Sequence, residues 1–286
     1  MLVGDPQQLP APVLSTAAAA AHLERSLFER LALPQVGWPV KLLSVQYRMA
    51  PAIRAFPSDY FYGGKLVDGA SVRERPPPGH HGACGGLLGP FRFFDVAGGR
   101  EQRAGTSLRN RAEARLIGAL VAALAAAEPS VVAEGRVVVL TPYQQQAACL
   151  REELGEALGS GSGSGDAASA ALVRSLVRTV DSFQGQERDV VLLSCVRADA
   201  RRGIGFVADI RRLNVALTRA KASLWVVGSA EALRGEPCWA ALVDHAQTRG
   251  SFVAQATPEM VRRATASTAP QSNNSGVGGQ RIMIVE

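Results

Sequence analysis

Three short runs, Val137–Leu140, Val190–Val196 and Leu224–Gly228, are apolar without the every-second-residue polar positions of a half-exposed strand. A strand of that kind must be covered on both faces, and the usual way to cover it is a parallel sheet with crossover helices on either side. The intervening segments supply such helices. Ser107–Ala127 is alanine-rich, the stretch after Pro142 carries a helical pattern to about Leu158, and Cys238–Gln247 is amphipathic. Alternating strands and helices predict an α/β fold built from parallel βαβ units. Phe91–Val96 reads as a further strand, Ser251–Gln255 as an edge strand and Leu172–Val180 as another strand.

The other segments are read by the same rules. Leu2 and Val3 resemble the end of a core strand and Gly4-Asp5 the turn after it, so Met1 is not expected to be a natural domain edge. Ala21–Leu33 places Leu23, Leu27, Phe28 and Leu31 on one helical face. Pro34, Gly37 and Pro39 then mark a hinge, and Lys41–Val45 a strand. Thr141 is expected to cap the helix that Pro142 opens. Pro76–Gly89 has the composition of a surface loop. Its His80, His81 and Cys84 lack a second ligand pair, and no metal site is expected. Gly159–Gly165 is a flexible insertion, and the uncharged stretch Ala264–Gln280 is expected to be disordered.

Charge is concentrated. Between Asp199 and Lys221 six cations (Arg201, Arg202, Arg211, Arg212, Arg219 and Lys221) face two carboxylates, so this window holds +4 of the formal net charge of +6. That bias favours a polyanionic partner. Asp209 is placed to cap a helix, and Arg212 and Arg219, seven apart, would then share one face. The alternative is a solvated basic face whose arginines pair with local carboxylates. Four scattered cysteines without a CxxC pair read as reduced, buried thiols. The absence of a signal peptide or long apolar span places the protein inside the cell, in nucleus or cytoplasm.

GDPQQLP, LSVQYRMAPAI, FPSDYFY, TPYQQQ, VRTVDSFQGQERDVVLLSCVR and GFVADIRRLNVALTRAK follow one another in the order found in superfamily 1 helicases. Over roughly residues 1–230 the chain resembles the group that contains senataxin and the nonsense-mediated-decay helicase. The resemblance implies a RecA-like second motor domain over residues 40–256. Residues 1–39 would be the tail of the first motor domain plus the hinge, and residues 257–286 a mostly disordered tail. It implies that Gln8 senses the γ-phosphate and Tyr47 stacks on the nucleotide base. Arg48 would be a γ-phosphate arginine, and Glu187, beside Gly185, would lie near the ribose. Arg219 would be the arginine finger. Thr141, Tyr143 and Thr179 match positions that line the single-strand channel. A flat aromatic suits a base, a carboxylate suits ribose hydroxyls and a guanidinium fork suits phosphate oxygens.

Departures from the pattern are as informative. Ala50 stands where histidine usually follows QYRM, and Ala11 where proline is common. No GxxxxGK[ST] loop occurs in the 286 residues, and no acidic motif that would hold Mg²⁺. The expectation is therefore the C-terminal motor portion of an ATP-dependent helicase acting on single-stranded RNA or DNA. ATP and Mg²⁺ would be its cofactors, with the metal ligands in a first motor domain that this stretch lacks. Two rivals stay open: a non-catalytic nucleic-acid-binding or regulatory module, and a part of a helicase–nuclease fusion.

Overall fold

The computed structural model describes residues 1–159 and 167–268. Its first third holds short elements: α1 (Thr16–Ala20), α2 (Leu27–Leu31), β1 (Val45–Gln46), α3 (Pro51–Tyr62), β2 (Val67–Asp68) and α4 (Ala70–Arg73). Then come β3 (Phe91–Val96), the hairpin β4 (Gln102–Ala104) and β5 (Ser107–Arg109), α5 (Arg111–Ala127), α6 (Pro129–Ala133), β6 (Val137–Thr141) and α7 (Gln144–Ala157). The rest is α8 (Ala167–Leu176), β7 (Val177–Thr179), β8 (Arg188–Ser194), α9 (Ile210–Leu217), β9 (Ala220–Gly228), α10 (Ala230–Leu233), α11 (Pro237–Thr248), β10 (Phe252–Ala256) and α12 (Pro258–Thr268).

Six strands form one sheet in the order β10-β3-β9-β8-β6-β7, and every pairing is parallel. Residues alternate between two cores. Val138, Leu140, Val191, Leu193 and Val226 meet α3, α9 and α11 through Ile53, Leu213, Leu217 and Leu242. Val139, Leu192, Trp225 and Val227 meet α5, α7, α8 and α12 through Leu116, Leu120, Leu150, Val173 and Val261. The central strands β6, β8 and β9 are thus buried on both faces, as their unbroken apolar runs require. This is the RecA-like α/β architecture, with helices on both sides of a parallel sheet.

Several local expectations are corrected. Leu2 and Val3 form no strand and are exposed. The helix expected over Ala21–Leu33 is reduced to α2, because the chain reverses at His22 (φ +59°) and leaves Leu23 and Leu27 exposed. A short helix with no surface to bury its apolar stripe has little beyond propensity to hold it. Lys41–Val45 pairs only at its end, where Val45 and Gln46 lie beside Val67 and Asp68. Ser107–Arg109 is a strand, and α5 starts after Asn110, whose side chain accepts from the Glu113 amide. Thr141 ends β6 and does not cap; the residue before α7 is Tyr143. Helix α8 persists to Leu176, since Val173 and Leu176 bury one helical face, which leaves only Val177–Thr179 as strand.

Pro76–Gly89 is no simple surface loop. It makes short 3-10 turns and places His80 in the interior at 1% exposure. The stretch expected to be disordered from Ala264 is helical as far as Thr268 in α12, which packs Val261 into the core; its remainder lies outside the described residues, as does most of the Gly159–Gly165 insertion. Among the described residues no helix is long and apolar enough to cross a membrane.

Candidate functional site

The basic window folds into a cap, a short helix and a turn. Asp209 accepts from the amides of Arg211 and Arg212 and opens α9, as its position predicts. The helix ends at Leu217 and β9 begins at Ala220, so Arg219 stands in the connection between them. The expected shared face of Arg212 and Arg219 does not exist. Arg212 pairs with Asp181 (2.8 Å) and Asp209 (3.1 Å), and Arg211 with Glu29 (3.1 Å).

Arg219 is turned inward and is 3% exposed. Its Nε donates to Val215 O (2.9 Å) and its Nη2 to Thr218 Oγ1 (3.1 Å) and Gln8 Oε1 (3.3 Å). All three acceptors are neutral, Nη1 has no protein acceptor, and no carboxylate pairs with Arg219 among the described residues. Burial and the neighbouring Arg48 cation pull its pKa down to about 10. The Glu187 and Asp5 carboxylates act on it only at longer range, and a desolvated guanidinium without a directly paired carboxylate is energetically costly unless an anion arrives to meet it.

Gln8 is held for this contact by a chain of bonds. Its Nε2 donates to Asp5 Oδ2 (3.0 Å), which also accepts from the Tyr62 hydroxyl (2.7 Å). Tyr62 in turn accepts from Asn214 Nδ2 (2.9 Å), and the same amide donates to Gln7 O (3.0 Å). The first ten residues are thereby fastened to α9, the element that positions Arg219. Asp5, Tyr62 and Asn214 lie inside the motifs GDPQQLP, FPSDYFY and GFVADIRRLNVALTRAK, yet none of them received a role at the site from the sequence, because their partners lie far along the chain.

Arg48 follows β1 and crosses to the other side of the site. Its Nε lies 2.5 Å from Glu187 Oε2, and its Nη1 donates to Thr218 O (3.0 Å). Glu187 also pairs with Lys221 (2.9 Å), and these two cations, Lys221 foremost, hold its carboxyl below the usual range. Tyr47 is 65% exposed, and its ring lies so close to Gly69 that a Cβ there would come within 2.4 Å of it. Only glycine permits that approach. Arg75 fixes the turn from behind through the carbonyls of Tyr47 (3.3 Å) and Arg48 (2.9 Å). Gly185, with φ +80°, makes the left-handed turn that leads to Glu187. A cleft of about 1140 Å³ opens beside these groups, with Asp5, Gln8, Arg48, Tyr62 and Thr218 in its wall. Gln8, Arg48, Glu187 and Arg219 are therefore brought together, and Tyr47 stands at the adjoining surface.

The second residue set lies at the carboxyl ends of neighbouring strands. Thr141 and Thr179 face each other across the β6–β7 register. Thr141 is fully buried, and its Oγ1 accepts from the Tyr143 amide (3.4 Å). Tyr143 is 5% exposed, with its hydroxyl 3.5 Å from Ile204 O. Thr179 is half-buried, and its Oγ1 accepts from the Ser182 amide (3.3 Å). Of the three, Thr179 is nearest to solvent.

One other cluster has the bond order of a nucleophilic triad. Glu128 Oε2 lies 2.7 Å from His80 Nδ1, and His80 Nε2 lies 2.9 Å from Ser223 Oγ. Ser223 is fully buried on β9 and His81 Nε2 (2.9 Å) shares its hydroxyl, so the cluster serves as interior polar packing. Among the described residues no group of three or more His, Cys, Asp or Glu side chains can hold a metal ion.

Comparison with known proteins adds a family and several relatives. A family described as "AAA domain" matches residues 23–231. The chain is 38% identical over 261 residues to "Probable helicase MAGATAMA 3" of Arabidopsis thaliana, covering 90% of this chain and 30% of that protein. It is 39% identical to "Helicase sen1" of Schizosaccharomyces pombe, covering 87% of this chain and 14% of that one. It is also 39% identical to "Regulator of nonsense transcripts 1 homolog" of Arabidopsis thaliana, covering 86% of this chain and 19% of that one. The chain thus spans less than a third of each relative.

Proposed function

The chain belongs to the AAA domain family, and from that membership we propose that it is the second motor lobe of an ATP-dependent helicase that moves along single-stranded RNA or DNA. The observation that carries the proposal is Arg219. A buried guanidinium whose hydrogen-bond partners are all neutral fits a phosphate chain, since an arriving anion would supply the direct ion pair that the described residues do not make. On this reading Gln8 and Arg48 reach the same phosphates from the cleft wall, Tyr47 offers its open face to the base and Glu187, next to Gly185, accepts from the ribose. Glu187 would first have to release Arg48 or Lys221, which couples sugar binding to the freeing of a cation.

ATP supplies the phosphoryl group whose transfer drives the motor, and Mg²⁺ would be held by a first lobe, because this chain offers neither the phosphate loop nor the acidic motif. Residues 1–39 then belong to the first lobe and hinge and residues 40–256 to the second lobe, to which α12 is added by the packing of Val261 into its core. Thr141, Tyr143 and Thr179 would border the strand. With two of those side chains buried, backbone groups at the carboxyl ends of β6 and β7 are the better phosphate donors.

Two measurements on this chain test the reading. ATP turnover with saturating single-stranded RNA or DNA should be absent, and turnover that is lost in Arg219→Ala would refute the need for a first lobe. Strand binding should be weak and indifferent to base sequence. Neutralising about three phosphates would give a log-affinity slope near −2 against log salt, at about −0.7 per contact on a single strand. A salt-insensitive affinity would remove the backbone-tracking part of the proposal.

A further inference from the structure

Phe206 is the one large aromatic on the loop between β8 and α9, and it is 65% exposed. The 3-10 turn Gly205–Ala208 presents it, directly after two glycines of positive φ, Gly203 (φ +62°) and Gly205 (φ +54°). The neighbouring Val207 is buried, and its carbonyl accepts from Trp239 Nε1 (2.8 Å), so the turn is anchored on the side opposite to Phe206. Exposure of Phe206 is therefore built in and is not the looseness of a long loop.

Its surroundings match one kind of ligand. The ring lies edge to face with Tyr143, centroids 6.1 Å apart, and it shares a shallow depression with Pro142, Val180 and Arg212. Pro142 and Val180 directly follow Thr141 and Thr179, the ends of β6 and β7 where a strand backbone would run. Arg212, paired with Asp181 and Asp209, reaches the Phe206 carbonyl (3.4 Å), and Arg201 and Arg202, the latter paired with Asp199 (3.1 Å), are exposed on the same loop. An open aromatic face with a wall of apolar atoms and a rim of cations suits a flat, apolar group attached to a polyanion. An unstacked nucleobase of a single strand has that chemistry.

We propose that Phe206 is a stacking platform for one base of the single strand, set beside the carboxyl ends of β6 and β7. The inference rests on the reading of the chain as a strand-tracking lobe and adds to it a contact with a base, where the other groups offer contacts with phosphates. Stacking is tolerant of sequence, because every base has a π face, so the contact would grip the strand without selecting a sequence.

The test compares this chain with Phe206→Ala and Phe206→Trp. The probes are thymidine and uridine homopolymers and an abasic deoxyribose strand of equal length and charge. Phe206→Ala should weaken binding of the base-bearing strands about tenfold and leave the abasic strand unchanged. Phe206→Trp should keep affinity, and its added fluorescence should be quenched by base-bearing strands but not by the abasic one. A loss for thymidine only, or for uridine only, assigns the platform to DNA or to RNA. Equal affinity of parent and Phe206→Ala for both homopolymers overturns the proposal and leaves the lobe reading intact. Equal loss for abasic and base-bearing strands also overturns it, as does quenching that ignores the base. If the parent chain binds no strand at all, the lobe reading and the platform fall together.

Discussion

In a longer protein that joins this chain to a lobe with a phosphate-binding loop, Arg219→Ala is expected to lower kcat for strand-stimulated ATP hydrolysis by about 10³- to 10⁵-fold. Negative charge grows on the γ-phosphoryl oxygens as the bond breaks, so a fixed cation stabilises the transition state more than the bound ground state. Arg219 is fixed in the required sense. Val215 O, Thr218 Oγ1 and Gln8 Oε1 hold two of its nitrogens, and among the described residues Nη1 has no acceptor. Lysine keeps the charge but cannot make this fork, so Arg219→Lys should recover little. Tyr47→Ala should mainly raise KM, because an open ring lost from the surface removes a ground-state contact. Rates and strand affinities for these variants decide the matter. Near-normal kcat in Arg219→Ala would return the window from Asp199 to Lys221 to the status of a basic surface.

The sequence made the sheet legible because each central strand must satisfy two cores at once. Val190–Leu193 can bury alternate residues on opposite faces only if every position is apolar, and that requirement leaves an unbroken run. Elements that depend on a particular neighbour were harder to read. Leu172–Val180 has enough β-branched residues for a strand, yet Val173 and Leu176 bury as a helix because tertiary packing outweighs propensity. Arg219 was legible by motif but misplaced locally, since the apolar spacing through Ala220 hides the helix end at Leu217. Arg48 and Glu187 are 139 residues apart, and no spacing rule joins them; only the motif order placed both at one site. Asp5, Tyr62, Asn214 and Phe206 were illegible for the same reason, because each gains its meaning from a partner far along the chain.

The last expected result concerns stability, and it turns on Glu113, a carboxyl buried at 0% exposure in the first turn of α5. Its Oε2 lies 2.6 Å from Ser194 Oγ and 2.8 Å from the Val196 amide, and its Oε1 accepts from Asn110 Nδ2 (3.2 Å). Gln146 closes the cluster by donating to Ser194 Oγ (3.0 Å), and Asn110 Nδ2 reaches Val196 O (3.1 Å). The cluster clamps Val196 at φ +71°, a conformation that costs a β-branched residue about 1–3 kcal/mol. None of these partners is a cation, so burial outweighs the hydrogen bonds and raises the carboxyl pKa to about 8. The unfolded chain loses that proton near its ordinary value of 4.5, while the native protein keeps it to about 8. Between those limits the native state binds the extra proton, so stability must fall as pH rises, by at most about 1.4 kcal/mol per unit. His81, whose burial lowers its pKa to about 4, contributes the opposite slope up to about pH 6.5. His245, lowered by burial too, adds to that opposite slope, which fades above about pH 6.5, so Glu113 dominates from about pH 7 to 8. Glu113→Gln, a neutral amide, should remove that slope, with a loss of about 1–3 kcal/mol near pH 6.5 because one of its groups meets a donor where it needs an acceptor, and the deficit should narrow as the parent loses stability towards pH 8. Glu113→Ala leaves the Ser194 hydroxyl and the Val196 amide without their acceptor and Asn110 Nδ2 with Val196 O alone, and should cost about 4 kcal/mol near pH 6.5 and less towards pH 8. Urea unfolding across this range measures both. An unchanged slope in Glu113→Gln would mean that the native carboxyl is already ionised and that three neutral donors suffice to hold a buried charge.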